Sequence, residues 1–369
     1  MPEGHTVHRL ARTFSSLYSG QVLRVTSPQG RFADGAAVLD GRRLIASEAW
    51  GKQLFLGFAP ADAARAAAPA DVALAAGSDG GATRDPGLLW LRTHLGLYGA
   101  WTFAGAPDAP EVAHAIGAPR RRIGERDSVP RTASPSDGTD AHVTASNGWE
   151  VPEPRGQVRV RLFGAHAVAD LTGPTACEVI TTAEKSAVEA RLGPDPIRDD
   201  GDVGAFVDRV GRSRVTIGQQ LMDQAVVAGV GNIYRAEVLF RAGVDPLRPG
   251  RDVPPETVRA IWDDLVLLMR DGAERGAIVT TRPSDRSSAS GRERAYGRDL
   301  DSGRHKPVLD SPGRGRTRQN TDGTPGAVPV DQAFYVYHRD GLPCRVCGAP
   351  VLVKELAGRN LFWCGSCQV

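Results

Sequence analysis

The sequence predicts an α+β protein: an N-terminal β-sandwich led by a helix, a C-terminal helical domain and a C-terminal zinc-finger β-hairpin. Three observations carry this. One amphipathic helix opens the chain and a series of short alternating strands follows it. The pattern turns helical from about Ala176 to Glu274. Four cysteines then close the chain as two Cys-x-x-Cys pairs.

Residues 4–19 read as the leading helix, because Val7, Leu10, Ala11, Phe14, Leu17 and Tyr18 recur at helical spacing and Gly20 supplies a C-cap. The strands predicted next are Val22–Val25, Arg43–Ser47, Lys52–Phe58, Leu88–Arg92, Gly99–Phe103, Val158–Phe163 and His166–Asp170. Several alternate apolar and polar residues, as antiparallel strands with one buried face do. The clearest helical pieces are Val203–Val210, Gln219–Val226, Ile233–Ala242 and Pro255–Arg275, and the tail Ala333–Val369 returns to short strands around the cysteines.

Three stretches differ from the rest. Pro60–Gly87 holds 11 Ala in 28 residues, Ala106–Glu153 is rich in Pro, Ser, Asp and Arg, and Pro283–Val328 carries nine Lys or Arg against six Asp or Glu. Such compositions bury too little apolar surface to offset chain entropy, so they are expected to be flexible insertions. The third is net positive and reads either as an electrostatic grip for a polyanion or as a spacer. The expected organisation is therefore residues 1–175 for the sandwich, with insertions 60–87 and 106–153, then 176–282 for the helical domain. An insertion at 283–330 and the zinc hairpin at 331–369 complete it. Without the insertions about 250 residues remain, ample for packed cores.

The whole chain has 369 residues, 45 Lys plus Arg against 43 Asp plus Glu, and 41% hydrophobic residues. A net charge of +2 leaves any basic footprint local. No apolar run reaches the roughly 18 residues of a membrane span, and Met-Pro-Glu-Gly-His lacks the marks of a secretory signal. Five cysteines are too few for a disulfide framework, which fits a reducing cytosol, and Cys177 reads as a small buried hydrophobe.

The tail spacing Cys344-x2-Cys347-x16-Cys364-x2-Cys367 suits tetrahedral zinc between two knuckles, with Gly348 and Gly365 in the knuckle turns. So short a hairpin needs its metal to hold shape, so one structural ion is expected. Arg359 on the hairpin tip is suited to clamping a phosphate. In the segment from Gln219 to Arg235, Gly229-Val-Gly231 precedes Asn232 at a helix start, where exposed amides favour an anion. Pro2 is a third signal. Removal of Met1 would leave a secondary amine at the positive end of a helix, in part neutral near pH 7 and able to attack a carbonyl-like carbon. Glu3 beside it could move protons. Each signal alone also has a plain reading: a Pro starting a helix, a Gly turn between packed helices, a solvated strand-end Lys52.

Together, Pro2-Glu3-Gly4, Gly51-Lys52, Thr93-His94-Leu95-Gly96-Leu97-Tyr98-Gly99, the Gln220–Arg235 segment, His338–Gly348 and Arg359-Asn-Leu-Phe-Trp-Cys364 resemble the formamidopyrimidine-DNA glycosylase and endonuclease VIII family of base-excision repair enzymes, the endonuclease VIII branch above all. The resemblance covers nearly all of the chain outside the insertions. It implies a helix–two-turn–helix in the helical domain. It also implies a bifunctional DNA glycosylase and AP lyase that flips out oxidised bases, pyrimidines favoured, and cuts the strand by β,δ-elimination.

The roles it implies fall on Pro2 as the nucleophile at C1′ and Glu3 as acid at the sugar. Lys52 would contact phosphate and assist elimination, Asn232 would bind phosphate, and Arg359 would hold the flanking phosphates and promote the second elimination. Leu97 and Tyr98 sit at the wedge position that fills the space of the flipped base, unless they are sheet core. Gly96 replaces a polar wedge residue of the branch. His5 reads more readily as a helix-start residue than as part of the site. The implied partner is damaged double-stranded DNA, with no membrane and no nucleotide cofactor. A monomer in a bacterial cytoplasm, at the nucleoid when acting, is expected. The alternatives are a catalytically silent binder of damaged or abasic DNA and a zinc-ribbon regulator. Neither needs an amine nucleophile with an acid beside it.

Overall fold

In the computed structural model, residues 2–62, 87–106, 115–117, 149–286 and 327–369 are described. The N-terminal part opens with helix α1 (Gly4–Tyr18) and strand β1 (Val22–Thr26). Helix α2 (Ala33–Leu39) leads to β2 (Arg42–Trp50), β3 (Gln53–Ala59), β4 (Leu89–His94), β5 (Ala100–Gly105), β6 (Ala115–Gly117), β7 (Val158–Phe163), β8 (Ala167–Thr172) and β9 (Ala176–Thr181). Helices α3 (Thr182–Glu189), α4 (Val203–Gly211), α5 (Ile217–Gln220), α6 (Asn232–Arg241) and α7 (Pro255–Arg275) follow. Strands β10 (Leu352–Leu356) and β11 (Arg359–Trp363) form the terminal hairpin.

All nine N-terminal strands join one antiparallel order, β6-β5-β8-β7-β1-β2-β3-β4-β9. The strand β1 belongs to both halves: Val22 and Leu23 pair with β2, whereas Arg24, Val25 and Thr26 pair with β7. This switch lets the halves face each other across one core of Leu23, Leu54, Leu56, Leu91, Trp101, Val160 and Leu171. The predicted apolar stripe of α1 is buried against that core, with Phe14 edge-on to Trp101 at 4.8 Å between ring centroids.

A second core joins the helices to the zinc hairpin. Phe206, Ile261, Leu265, Val238 and Leu239 share it with Phe334, Tyr335, Val336, Phe362 and Cys364. Helical segment and hairpin, expected as separate parts, are thus packed as one body. Several of the hydrogen bonds between them converge on Glu237, fully buried on α6. Its carboxylate accepts the amides of Tyr335 (2.8 Å), Val336 (2.9 Å) and Tyr337 (2.8 Å) and the Thr280 hydroxyl. Four donors on one carboxylate satisfy a charge that would otherwise be costly to bury.

The sequence reading needs three corrections. The helical pattern does not begin at Ala176, because Ala176–Thr181 is β9, paired along its length with β4. The turn to helix comes at Thr181, where a capping box with Glu184 starts α3: the Glu184 amide reaches Thr181 Oγ1 at 3.2 Å and Glu184 Oε2 takes the Thr181 amide at 2.7 Å. The predicted helix Gln219–Val226 shrinks to α5, Ile217–Gln220. Beyond it, side chains capture the backbone: Asp223 Oδ1 accepts the Ala225 amide, and Gln224 accepts from Gly229 and donates to Val230. The short helix α2 was not anticipated.

Of the expected insertions, residues 63–86, 107–114, 118–148 and 287–326 lie outside the described residues, so the expected flexibility of 60–87, 106–153 and 283–330 falls mostly there. Within the second, Ala115–Gly117 is a strand paired with β5. The two ends of 287–326 are tied together. The Thr280 amide donates to the Ala333 carbonyl (2.9 Å), and the Thr281 hydroxyl donates to the Gln332 carbonyl (2.8 Å). Among the described residues no helix is long and apolar enough to cross a membrane.

Candidate active site

The site lies where the sandwich meets the helices. Pro2 is buried just before α1, and Glu3 is fully buried. Chain crossing here is intimate: the Gly4 amide donates to the Gly229 carbonyl at 2.8 Å. The Glu3 carboxylate sits on the start of α6 and accepts the amides of Gly231 (2.9 Å), Ile233 (2.8 Å) and Tyr234 (3.4 Å). A Cβ at Gly231 would stand 2.4 Å from Glu3 Cδ, so only glycine permits this approach. No side chain of α6 itself caps it. The residue expected to act as acid is therefore also the helix cap, supplied from the other end of the chain.

Burial pushes the Glu3 carboxyl up, while the Lys52 ammonium and the Ile233 amide pull it down. Burial lowers the Lys52 ammonium, Glu3 opposes that, and Arg359 adds to it. Acid, amine and guanidinium thus lie within one electrostatic neighbourhood.

Lys52 was expected on a strand. It stands instead in the two-residue turn between β2 and β3, where Trp50 pairs with Gln53. Arg359 begins β11 on the far side of the turn Ala357-Gly358 and is exposed. Both turn residues have positive φ, 51° and 71°, the mark of a tight type I′ hairpin. The hairpin tip is anchored through Asn360, whose carbonyl accepts from Asn232 Nδ2 (2.9 Å) and Arg235 Nη2 (3.1 Å). Arg235 also donates to Asn232 Oδ1. Asn232 lies 6% exposed at the first residue of α6, so its side chain serves the tip and faces the Tyr337 hydroxyl.

Leu97 and Tyr98 occupy the turn between β4 and β5. They are not sheet core: Leu97 is 38% exposed and Tyr98 82%. The turn is ordered from within, by the Gly99 amide on the Leu95 carbonyl (2.9 Å) and the Gly96 amide on His94 Nδ1 (3.1 Å). His5 is buried against Tyr234, ring centroids 5.5 Å apart, and burial holds its pKa down to about 3.

Sequence reasoning missed His94 and Arg235 as neighbours of the site. His94 is paired with Gln53, next to Lys52, and its pKa is lowered by burial and by the Lys52 and Arg92 charges. Arg235 is fully buried, with its pKa brought down to about 10 chiefly by desolvation. Its spacing of three from Asn232 on one helix face was the available signal.

The four cysteine sulfurs lie within 4.8 Å of one another, with Cys344–Cys367 at 3.9 Å and Cys347–Cys364 at 3.5 Å. Tetrahedral zinc with bonds near 2.3 Å separates its sulfurs by roughly 3.8 Å, so the four thiolates fit the ion. The site holds a structural zinc.

Residues 192–284 match the formamidopyrimidine-DNA glycosylase H2TH domain, and residues 341–369 match the zinc finger found in FPG and IleRS. Endonuclease 8 1 of Mycobacterium bovis is 38% identical over 368 residues, covering all of both chains, and the Mycobacterium tuberculosis protein of that name matches equally. The chain belongs to the formamidopyrimidine-DNA glycosylase and endonuclease 8 family. The formamidopyrimidine-DNA glycosylase of Thermus thermophilus is 31% identical across 48% of this chain and 54% of that one. The family fold extends to Lactococcus lactis Fpg in complex with DNA containing N7-benzyl-Fapy-dG, at a TM-score of 0.59 and 18% identity. That match covers 100% of this chain and 99% of the other. The same enzyme with DNA containing an abasic site gives 0.58 at 18% identity, covering 99% of each. The expected family and fold are thus borne out, and this member is a DNA glycosylase of base-excision repair by kinship.

Proposed function

We propose that this chain is a bifunctional glycosylase and AP lyase acting on damaged double-stranded DNA, with oxidised pyrimidines favoured over purines. The observation that carries the reading is Glu3: a fully buried carboxyl raised by desolvation, beside Pro2, within reach of the Lys52 charge. A phosphate-binding surface needs no such acid.

Once Met1 is removed, the Pro2 nitrogen attacks C1′ of the flipped nucleotide. The C1′–base bond breaks, the sugar ring opens, and Glu3 supplies the proton that its oxygen needs. The product is an iminium between Pro2 and C1′. Loss of a C2′ proton then expels the 3′ phosphate, and a second elimination expels the 5′ phosphate. Lys52 neutralises a backbone phosphate and assists proton transfer, and Arg359 holds the flanking phosphates for the second step. Asn232, at the start of α6, turns a side-chain N–H to a phosphate oxygen. Leu97 and Tyr98 enter the stack, offsetting the few kcal/mol that flipping costs. Residues 1–181 would carry the nucleophile and wedge, and the helices with the hairpin would grip the duplex.

The test is a duplex with a single abasic site, incubated with protein and borohydride. A covalent adduct is expected, and Pro2→Gly or retained Met1 removes most of it. Adduct formed equally with Pro2 replaced would sink the nucleophile assignment. Binding without any adduct would instead favour the silent binder. Glu3→Gln should slow base release by about 100-fold or more while cutting at a preformed abasic site persists. Parallel loss of both would remove the acid role.

A further inference from the structure

Behind Lys52 lies a second buried carboxylate that this chemistry does not use. Asp195, 1% exposed, belongs to the segment between α3 and α4 and faces donors from three places. Its Oδ2 accepts the Gly51 amide at 2.7 Å and lies 2.8 Å from His8 Nε2 on α1. Its Oδ1 accepts the Ile197 amide at 2.9 Å. Gly51 and Lys52 are the two residues of the β2–β3 turn, and Gly51 has φ 58°. Glycine with positive φ at the first position is what a type II′ turn requires. The turn is also wedged: a Cβ at Gly51 would meet Ala228 Cβ and the Gly229 amide nitrogen, each at 2.9 Å.

The residue before the turn is held by the same segment. Trp50 Nε1 donates to the Gly193 carbonyl at 3.0 Å, and the Arg198 guanidinium lies 4.4 Å from the Trp50 ring centroid. Residues 193–198 therefore grip both positions that precede Lys52 in the chain. The helical body of the molecule thereby sets the direction in which a residue of the sandwich points.

We propose that Asp195 is a positioning residue for Lys52. It fixes the Gly51–Lys52 turn against the helical body and so places the Lys52 ammonium beside Glu3 and Arg359. His8 on α1 shares Oδ2. A backbone amide faces each carboxylate oxygen of Asp195, so an amide in its place sets donor against donor whichever way it turns. Asp195→Asn is accordingly disruptive while keeping volume.

The proposal rests on the role given to Lys52 above, and a double-mutant cycle separates the two. Zinc-loaded, full-length protein is titrated with a duplex carrying a tetrahydrofuran abasic analogue, and single-turnover scission is followed on an abasic duplex at saturating protein. Asp195→Asn is expected to weaken binding about fivefold and slow scission about tenfold. In a Lys52→Ala background the same change should add less than about twofold, because its effect passes through the lysine. A merely structural residue would add its full cost in both backgrounds, and that result overturns the proposal.

Should Asp195→Asn fail to fold, Gly51→Ala strains the same turn from the other side and must show the same non-additivity. If it adds fully, the proposal falls as well. Wild-type protein that forms no borohydride adduct would reject the catalytic reading. An adduct together with additive costs would reject only the positioning of Lys52 by Asp195.

Discussion

The two cations of the site, Lys52 and Arg359, ride on hairpins with turns of the same length and reach the site by opposite means. Each hairpin has a two-residue turn with a positive φ at its first position. The Lys52 turn is pressed into the interior, with its amide on Asp195 and its glycine against Ala228. The Arg359 turn stands in solvent and is held behind its tip, by the Asn360 carbonyl and buried Phe362, and at its base by zinc. Burial therefore tunes the lysine, whose ammonium is lowered, while the arginine stands exposed. These positions suit the proposed roles: a group that trades protons is served by an interior position. One that grips phosphate is served by a projecting one.

Metal removal should break the comparison most strongly, since structural zinc contributes on the order of 10 kcal/mol to small metal-held folds. Cys364→Ser is expected to lose bound zinc, measured by metal analysis, and to weaken DNA binding at least about 100-fold. The fold around Lys52 persists, read as unchanged hydrogen exchange in β2 and β3. Full affinity in metal-free protein would refute the anchoring role of the ion.

Acid should act on the other hairpin's neighbourhood. His5 lies beside the Pro2–Glu3 terminus, and its folded pKa is about 3, below the ordinary 6.5. The unfolded chain therefore binds a proton that the folded chain refuses, and stability falls as pH drops from about 6.5 toward 3. Between pH 6.5 and 5 the loss is about 1.5 kcal/mol. Thermal melts of wild type and His5→Asn check it: the variant should lack this part of the slope, and parallel curves would contradict it.

The smallest effect is expected at the hairpin tip. Ala357 holds φ 51°, where a side chain is strained, so Ala357→Gly should firm the turn by about 0.5 kcal/mol after the added freedom of the unfolded chain is counted. Slower amide exchange at Leu361 would show it; faster exchange would not fit.

The contrast between the hairpins also explains what was legible in the sequence. The zinc hairpin is local, its ligands sitting in two short motifs 16 residues apart, and their spacing alone names the metal. The leading helix, most strands and α7 follow from periodicity within single segments. The support of Lys52 is not local: Asp195 and Gly51 are 144 positions apart, and Glu3 is 230 from the Ile233 amide it accepts. Neither contact leaves a periodic trace. Helix α5 was overestimated because Asp223 and Gln224, polar residues in a helical pattern, bond the backbone instead. Strand β9 was read as helix because Thr181-Thr-Ala-Glu184 announces α3 directly after it, and the apolar residues before the cap joined the helical count.

The stitched threshold formed by Thr280 and Thr281 with Ala333 and Gln332 bears on how such enzymes diversify. Because both ends of 287–326 are already brought together by bonds inside the folded body, the segment's length can change without disturbing the helices or the metal hairpin on either side. Doubling a chain closed in this way costs only about 0.6 kcal/mol in entropy. A lineage can therefore lengthen, shorten or rewrite that passage freely, gaining new contacts with a substrate while the reactive groups stay where they were.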